Sequence, residues 1–162
     1  MHLKIKTLLA SMPAIFLTPL IMTIAPQNPA LAGCSGKSCA GQDPEKTGCS
    51  KDQQLVDEVL LKNDQGERVG FVDLKYSPTC EAYWAKLVNE KFWAPMWVSI
   101  FRYEDGNWAA SPVTTKSNKG GTEEYSLMSP HPNIKGCGRL TLTTSGTVEA
   151  CTESTGSAVS QR

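Results

Sequence analysis

Six cysteines, Cys34, Cys39, Cys49, Cys80, Cys137 and Cys151, constrain this chain more than any other feature, because all of them follow a leader-like N-terminus. Lys4 and Lys6 form a basic start, an apolar run extends from about Leu8 to Ile24, and Pro26-Gln27-Asn28-Pro29 breaks it ahead of Ala30-Leu31-Ala32. A basic region, an apolar region and an A-x-A site are the marks of a secretory signal peptide. Residues 1–32 are therefore predicted to be removed after Ala32. The competing reading, a membrane anchor, is weakened by Pro13 and Pro19 inside a run barely as long as the roughly 20 residues a span needs. An even number of cysteines in a small exported chain points to disulfides, because oxidation persists outside the cytoplasm. Any of fifteen pairings is open on sequence alone. Leu31-Ala32-Gly33-Cys34 also has the form of a lipobox, which would anchor the chain through a lipidated Cys34. That would leave five thiols, and a bridge at Cys34 is favoured for that reason.

The remaining residues, about 130, suit one domain over 33–151 with a polar tail over 152–162. Without Lys4 and Lys6 the chain carries two more acidic than basic residues, and no cluster of Lys and Arg resembles a phosphate-binding stripe. Nucleic acid and, lipidation aside, membrane surfaces are thus not expected partners.

Residues 33–52 hold three cysteines among glycines and turn formers, too little apolar matter to order themselves without cross-links. Beyond them the pattern is mainly β, a disulfide-stapled sheet or partly open barrel of five to seven strands. Leu55–Leu61 and Arg68–Tyr76 flank Asn63-Asp64-Gln65-Gly66 and read as a hairpin. Val69, Phe71 and Asp73 alternate on one of its faces. Ser77 as N-cap and Pro78 at the first position predict one short helix, with Cys80, Tyr83, Trp84, Leu87 and Val88 on a shared face and an end near Asn89. Residues 92–103 return to strand, Asp105-Gly106 signals a hairpin into 108–115, residues 116–123 read as a Gly-rich loop, and 125–128 as a short strand. The last hairpin, 139–143 with 147–151, brings Cys137 and Cys151 to opposite ends of paired strands and predicts their bridge.

The run Cys34-x-x-x-x-Cys39-x-Gly41-x-Asp43-Pro44-x-x-x-Gly48-Cys49, with Asp73-Leu74-Lys75-Tyr76-Ser77-Pro78-Thr79-Cys80-Glu81-Ala82-Tyr83-Trp84-Ala85, resembles an exported bacterial domain of unknown function, the YjfA-like family, over residues 33–86. The resemblance implies that Cys34, Cys39, Cys49 and Cys80 belong together structurally. It implies no activity. Lys75 stands where that family often has arginine.

Catalytic chemistry finds little support. Triad-type hydrolysis needs a base beside its nucleophile, and the one histidine past the leader, His131, sits between Pro130 and Pro132 in a rigid loop. Asp57-Glu58, Glu104-Asp105 and Glu123-Glu124 read as solvated faces and turns, not a glycosidase pair. Zinc spacing is absent, since Cys34-x4-Cys39 is not C-x2-C and lacks a histidine partner, so neither metal nor cofactor is expected. The aromatics are more suggestive. Trp84, Trp93, Trp97 and Trp108 fall within 25 residues, near Tyr76, Tyr83, Phe92, Phe101 and Tyr103. They build a compact core or, in part, an exposed platform. Trp93, Trp97 and Trp108 are the candidate contact residues, with Trp93 and Trp108 expected to be exposed. The reading that follows is a non-enzymatic binding module of the cell envelope or exterior, with its ligand unassigned. The alternative is a small secreted hydrolase or enzyme inhibitor acting through a pocket or the 129–136 loop.

Overall fold

The structure is a computed structural model that describes residues 33–91, 94–110, 116–142 and 146–155, with backbone alone for 116–120. It is mainly β, two antiparallel sheets packed face to face. The first sheet runs β1 (Gln54–Lys62), β2 (Arg68–Ser77), β3 (Ala82–Asn89) and β7 (Glu123–Tyr125). The second is centred on β4 (Ala94–Glu104) and β8 (Ile134–Leu142). Beyond β8 lies β9 (Gly146–Cys151). The other edge of β4 carries β6 (Lys116–Gly121) near its start and β5 (Asn107–Ala110) near its end. Among the described residues no helix is long and apolar enough to cross a membrane.

Strand alternation places the main core between the sheets. Val72 and Leu74 of β2, Ala85 and Leu87 of β3, Met96, Val98 and Ile100 of β4, and Ile134 and Leu140 of β8 are all buried there. Their strand neighbours point away. On β2 it is thus Val72 and Leu74 that face the core, while Phe71 and Asp73 lie on the opposite side, where Asp73 pairs with Lys75 at 2.9 Å. The sheets approach closely at β8, whose inward positions 136 and 138 are glycines. A Cβ on Gly136 would sit 2.9 Å from the Ala85 Cβ, and one on Gly138 would sit 2.7 Å from Val72 Cγ2.

Two predicted features are corrected. The helix over 77–89 does not form: β2 runs through Ser77, the chain turns, and β3 begins at Ala82. Ser77 does cap, accepting a hydrogen bond from the Cys80 N–H at 3.0 Å, but it caps a single turn. Strand β3 imitates a helix in sequence because both of its faces are covered. Leu87 and Ala85 enter the main core, and Trp84 and Ala82 enter a second one. A strand buried on both sides loses its polar alternation. The polar stretch 116–121, predicted as loop, is strand β6, because the edge of β4 supplies partners that its own composition does not advertise. The helical residues lie instead in the cysteine-rich segment, as a 3-10 turn at Gly36–Cys39, a short helix α1 at Pro44–Thr47 capped by the Asp43 carboxylate, and a second 3-10 turn at Cys49–Asp52.

That segment roofs the outward end of the first sheet. Its bridges are Cys34–Cys39 and Cys49–Cys80, while Cys137–Cys151 joins β8 to β9 as predicted. The second core holds Cys39, Cys49, Cys80, Ala82, Trp84 and Met128, with Trp84 fully shielded. The Cys49–Cys80 bridge closes a loop of 31 residues, for which the chain-entropy picture gives a stabilisation of about 4 kcal/mol. Backbone hydrogen bonds from Gly36 N to Cys80 O (2.8 Å), Gly41 N to Met128 O (2.9 Å) and Met128 N to Gln42 O (2.9 Å) tie the roof down independently. So does Asp52, whose carboxylate accepts from the Ser77 hydroxyl and the Thr79 N–H. At the other terminus, Thr152 accepts from Gly136 N at 3.0 Å and Thr155 from Ile134 N at 3.1 Å, so residues 152–155 run back along β8.

Two outcomes follow from this packing. Gly136→Ala pushes against a backbone-borne methyl that cannot swing aside, and should cost about 1–3 kcal/mol. Urea unfolding should show the midpoint fall with an unchanged slope, whereas an unmoved midpoint would show that the sheets are not in contact there. For Asp52, partial burial acts to raise the carboxyl pKa, but the hydrogen bonds from Ser77 and Thr79 outweigh it and hold the group below its ordinary value. A depressed folded-state pKa adds stability above the unfolded value of about 4, and loses it as pH falls through the folded one. Asp52→Asn should therefore lower stability at neutral pH and flatten the acid limb below about pH 4. Acid limbs that run parallel in the two proteins would contradict this account.

Candidate functional site

The two outward sheet faces differ. On the first sheet three cations have carboxylate partners. Arg68 makes a two-pronged pair with Glu90 (2.7 and 2.8 Å) over the Phe71 ring, Lys75 pairs with Asp73, and Lys86 pairs with Glu123 at 3.0 Å beside Tyr125. Burial alone would depress the Lys86 ammonium pKa, but the hydrogen bonds and charges of Glu123 and Tyr125 raise it above its usual range.

The outward face of the second sheet is aromatic and cationic. Since Met96, Val98 and Ile100 of β4 point inward, Trp97, Ser99, Phe101 and Tyr103 point out. Register then sets Arg139 of β8 opposite Trp97, Cys137 opposite Ser99 and Lys135 opposite Phe101. The tight Asp105-Gly106 hairpin, both residues at positive φ, returns Trp108 opposite Tyr103. The result is a stripe. Trp97 and Phe101 meet edge to face at 6.0 Å, and Tyr103 and Trp108 meet at 5.2 Å. The Arg139 guanidinium lies 5.1 Å from the Trp97 ring centre, and the Lys135 ammonium lies 4.8 Å from Trp108 and 5.8 Å from Phe101. Fully buried Ser99, between Trp97 and Phe101, and Cys137, between Lys135 and Arg139 and bridged to Cys151, form the floor beneath the first ring pair.

Among the described residues no carboxylate forms an ion pair with Lys135 or Arg139. Glu149 stands directly opposite Arg139 in the β8–β9 register, yet the guanidinium is stacked on Trp97. Residues 37–151, which contain this stripe, match the family described as "Protein of unknown function (DUF2690)". The chain belongs to that family. No curated protein and no solved structure matches the chain. The DUF2690 region takes in five of the six cysteines, and Cys34 precedes it.

Of the aromatic candidates, the DUF2690 fold brings Trp97 and Trp108 onto one surface, each half-buried under its cation, so Trp108 is less open than predicted. Tyr103, at 42% exposure, is the open ring of the stripe. Trp93 lies outside the described residues, and Trp84 is the shielded ring of the second core. Lys135 and Arg139 escaped the sequence reading. Their signal was present as the period-two run Lys135-x-Cys137-x-Arg139, masked by the glycines between. His131 is used structurally. Its Nδ1 accepts from the Asn133 N–H at 3.2 Å, and its Nε2 lies 3.9 Å from Glu104, which also pairs with Arg102 at 3.3 Å.

Acrylamide quenching should therefore divide the tryptophans of this DUF2690 protein. A Trp84-only variant should resist the quencher, and variants keeping only Trp97 or only Trp108 should respond to it. Equal shielding of all three would mean that the stripe is not at the surface.

Proposed function

We propose that this DUF2690 protein is exported and acts as a non-enzymatic binding module of the cell envelope or exterior, with the stripe of Trp97, Phe101, Tyr103 and Trp108 as its contact surface. Three bridges, with none of the six cysteines free, suit an oxidising compartment. The leader over 1–32 is consistent with export, and the bridge from Cys34 to Cys39 uses the sulfur that lipidation would consume. The YjfA-like resemblance over 33–86 supports the same placement.

One observation carries the binding reading: Lys135 and Arg139 are held over rings with no carboxylate partner among the described residues, whereas Arg68, Lys75, Lys86 and Arg102 each have one. Cations fixed in this way, beside half-open rings, suit a ligand that offers negative charge and a flat apolar face together. An anionic glycan has both, since its sugar C–H faces stack on rings and its carboxylate or phosphate groups meet the cations.

The purified protein should be retarded in an affinity gel containing a polyuronate and not in one containing a neutral glucan. Retardation should weaken as salt is raised, because the cations are solvent-facing. The double variant Lys135→Gln/Arg139→Gln should migrate as if no polyuronate were present. Undiminished retardation of that variant, or equal retardation by the neutral glucan, would dismiss the stripe as the site.

A further inference from the structure

We propose that the four N-terminal cysteines constitute a tetrathiolate zinc site whenever their two bridges are reduced. The Sγ atoms of Cys34, Cys39, Cys49 and Cys80 all lie within 4.8 Å of one another, and the two bridges approach to 3.8 Å between Cys34 and Cys49. Zinc binds thiolate at about 2.3 Å, so a tetrahedral site spaces its sulfurs by roughly 3.8 Å. The cluster already has that size. Opening each bridge requires only that its two sulfurs separate to the same spacing.

The frame that holds the four residues does not rest on the S–S bonds alone. Gly36 N to Cys80 O, Gly33 N to Thr47 O (2.9 Å), the Gly41–Met128–Gln42 ladder and the Asp52 carboxylate on Ser77 and Thr79 fix both sides of the cluster non-covalently. The surroundings also suit thiolates, which need hydrogen-bond donors when buried. The Thr47 hydroxyl lies 3.1 Å from Cys49 Sγ and can turn its one proton to that sulfur from the Asp43 carbonyl at 2.8 Å. The Trp84 indole N–H, fully buried in the same cluster, has no partner among the described residues in the oxidised state. Cys34 is the one sulfur of the four that is not fully buried, which gives reductant and metal a way in.

Exchange between the two bridges fits less well. A thiolate must attack in line with the bond it breaks, which would place it roughly 5.8 Å from the departing sulfur for a disulfide of ordinary length. No two sulfurs of the cluster are that far apart. A compact tetrad suits one central ion. The chemistry balances: each bridge takes two electrons and two protons from a dithiol, which leaves as its own disulfide, and zinc then displaces the thiol protons.

The test uses the purified protein, reduced without denaturant by a phosphine, which takes an oxygen from water, becomes the phosphine oxide and does not compete as a thiol. Titrated with cobalt(II), it should bind one ion per chain, with the thiolate charge-transfer band and strong visible bands of a tetrahedral sulfur site, and one equivalent of zinc should bleach them. A Cys137→Ser/Cys151→Ser variant should behave identically, and a Cys39→Ser/Cys80→Ser variant should lose the spectrum. If reduction loosens the segment, zinc should restore the near-ultraviolet dichroism of the shielded Trp84. Absence of stoichiometric metal in the reduced protein, or a tetrahedral spectrum that survives Cys39→Ser/Cys80→Ser, would overturn the proposal.

Discussion

The bond between Cys49 and Cys80 is the constraint that organises the rest of the molecule. It fastens a segment poor in apolar residues to the turn between β2 and β3, and so covers the outward end of the first sheet. Trp84 needs that cover. Its ring lies on the side of β3 away from the main core, and without the roof a large apolar surface would face water. The roof in turn has too little hydrophobic material to hold itself, and its order comes from the bridge and from hydrogen bonds to Cys80, Met128, Ser77 and Thr79.

With the first sheet covered at one end and its Arg68, Lys75 and Lys86 paired with carboxylates, the outward face of the second sheet is left as the chemically distinct surface. Its rings and cations arise from the same geometric rule. Strand alternation that sends Val98, Ile100, Gly136 and Leu140 inward sends Trp97, Phe101, Lys135 and Arg139 outward. The glycines at 136 and 138 bring the sheets close enough to seal the core with modest side chains. Packing inside and display outside are thus two consequences of one register between β4 and β8.

Much of this architecture was legible along the chain. The β class, the Asn63–Gly66 and Asp105-Gly106 turns and the Cys137–Cys151 bridge follow from local signals, because turn chemistry and two-residue alternation act over a few residues. The failures were all cases where burial came from elsewhere. The β3 strand read as a helix because a distant segment covers its second face, and β6 read as a loop because its partner edge is invisible in its own composition. The rings of the candidate surface, Trp97, Phe101, Tyr103 and Trp108, were visible as aromatic crowding. Lys135 and Arg139 were not, since nothing near them in sequence announces which rings they will meet.

By itself, then, the sequence determined that this is a β-rich chain whose thiols belong in bridges, because even cysteine number, turn residues and strand periodicity are local or countable properties. Only the tertiary structure decided which sulfurs stand together, which face of each strand is doubly covered and which cations lack counter-charges. Those are properties of distance between residues far apart in the chain, and spacing such as Cys34-x4-Cys39 says nothing of Cys80 until β2 and β3 have paired and the roof has closed on them.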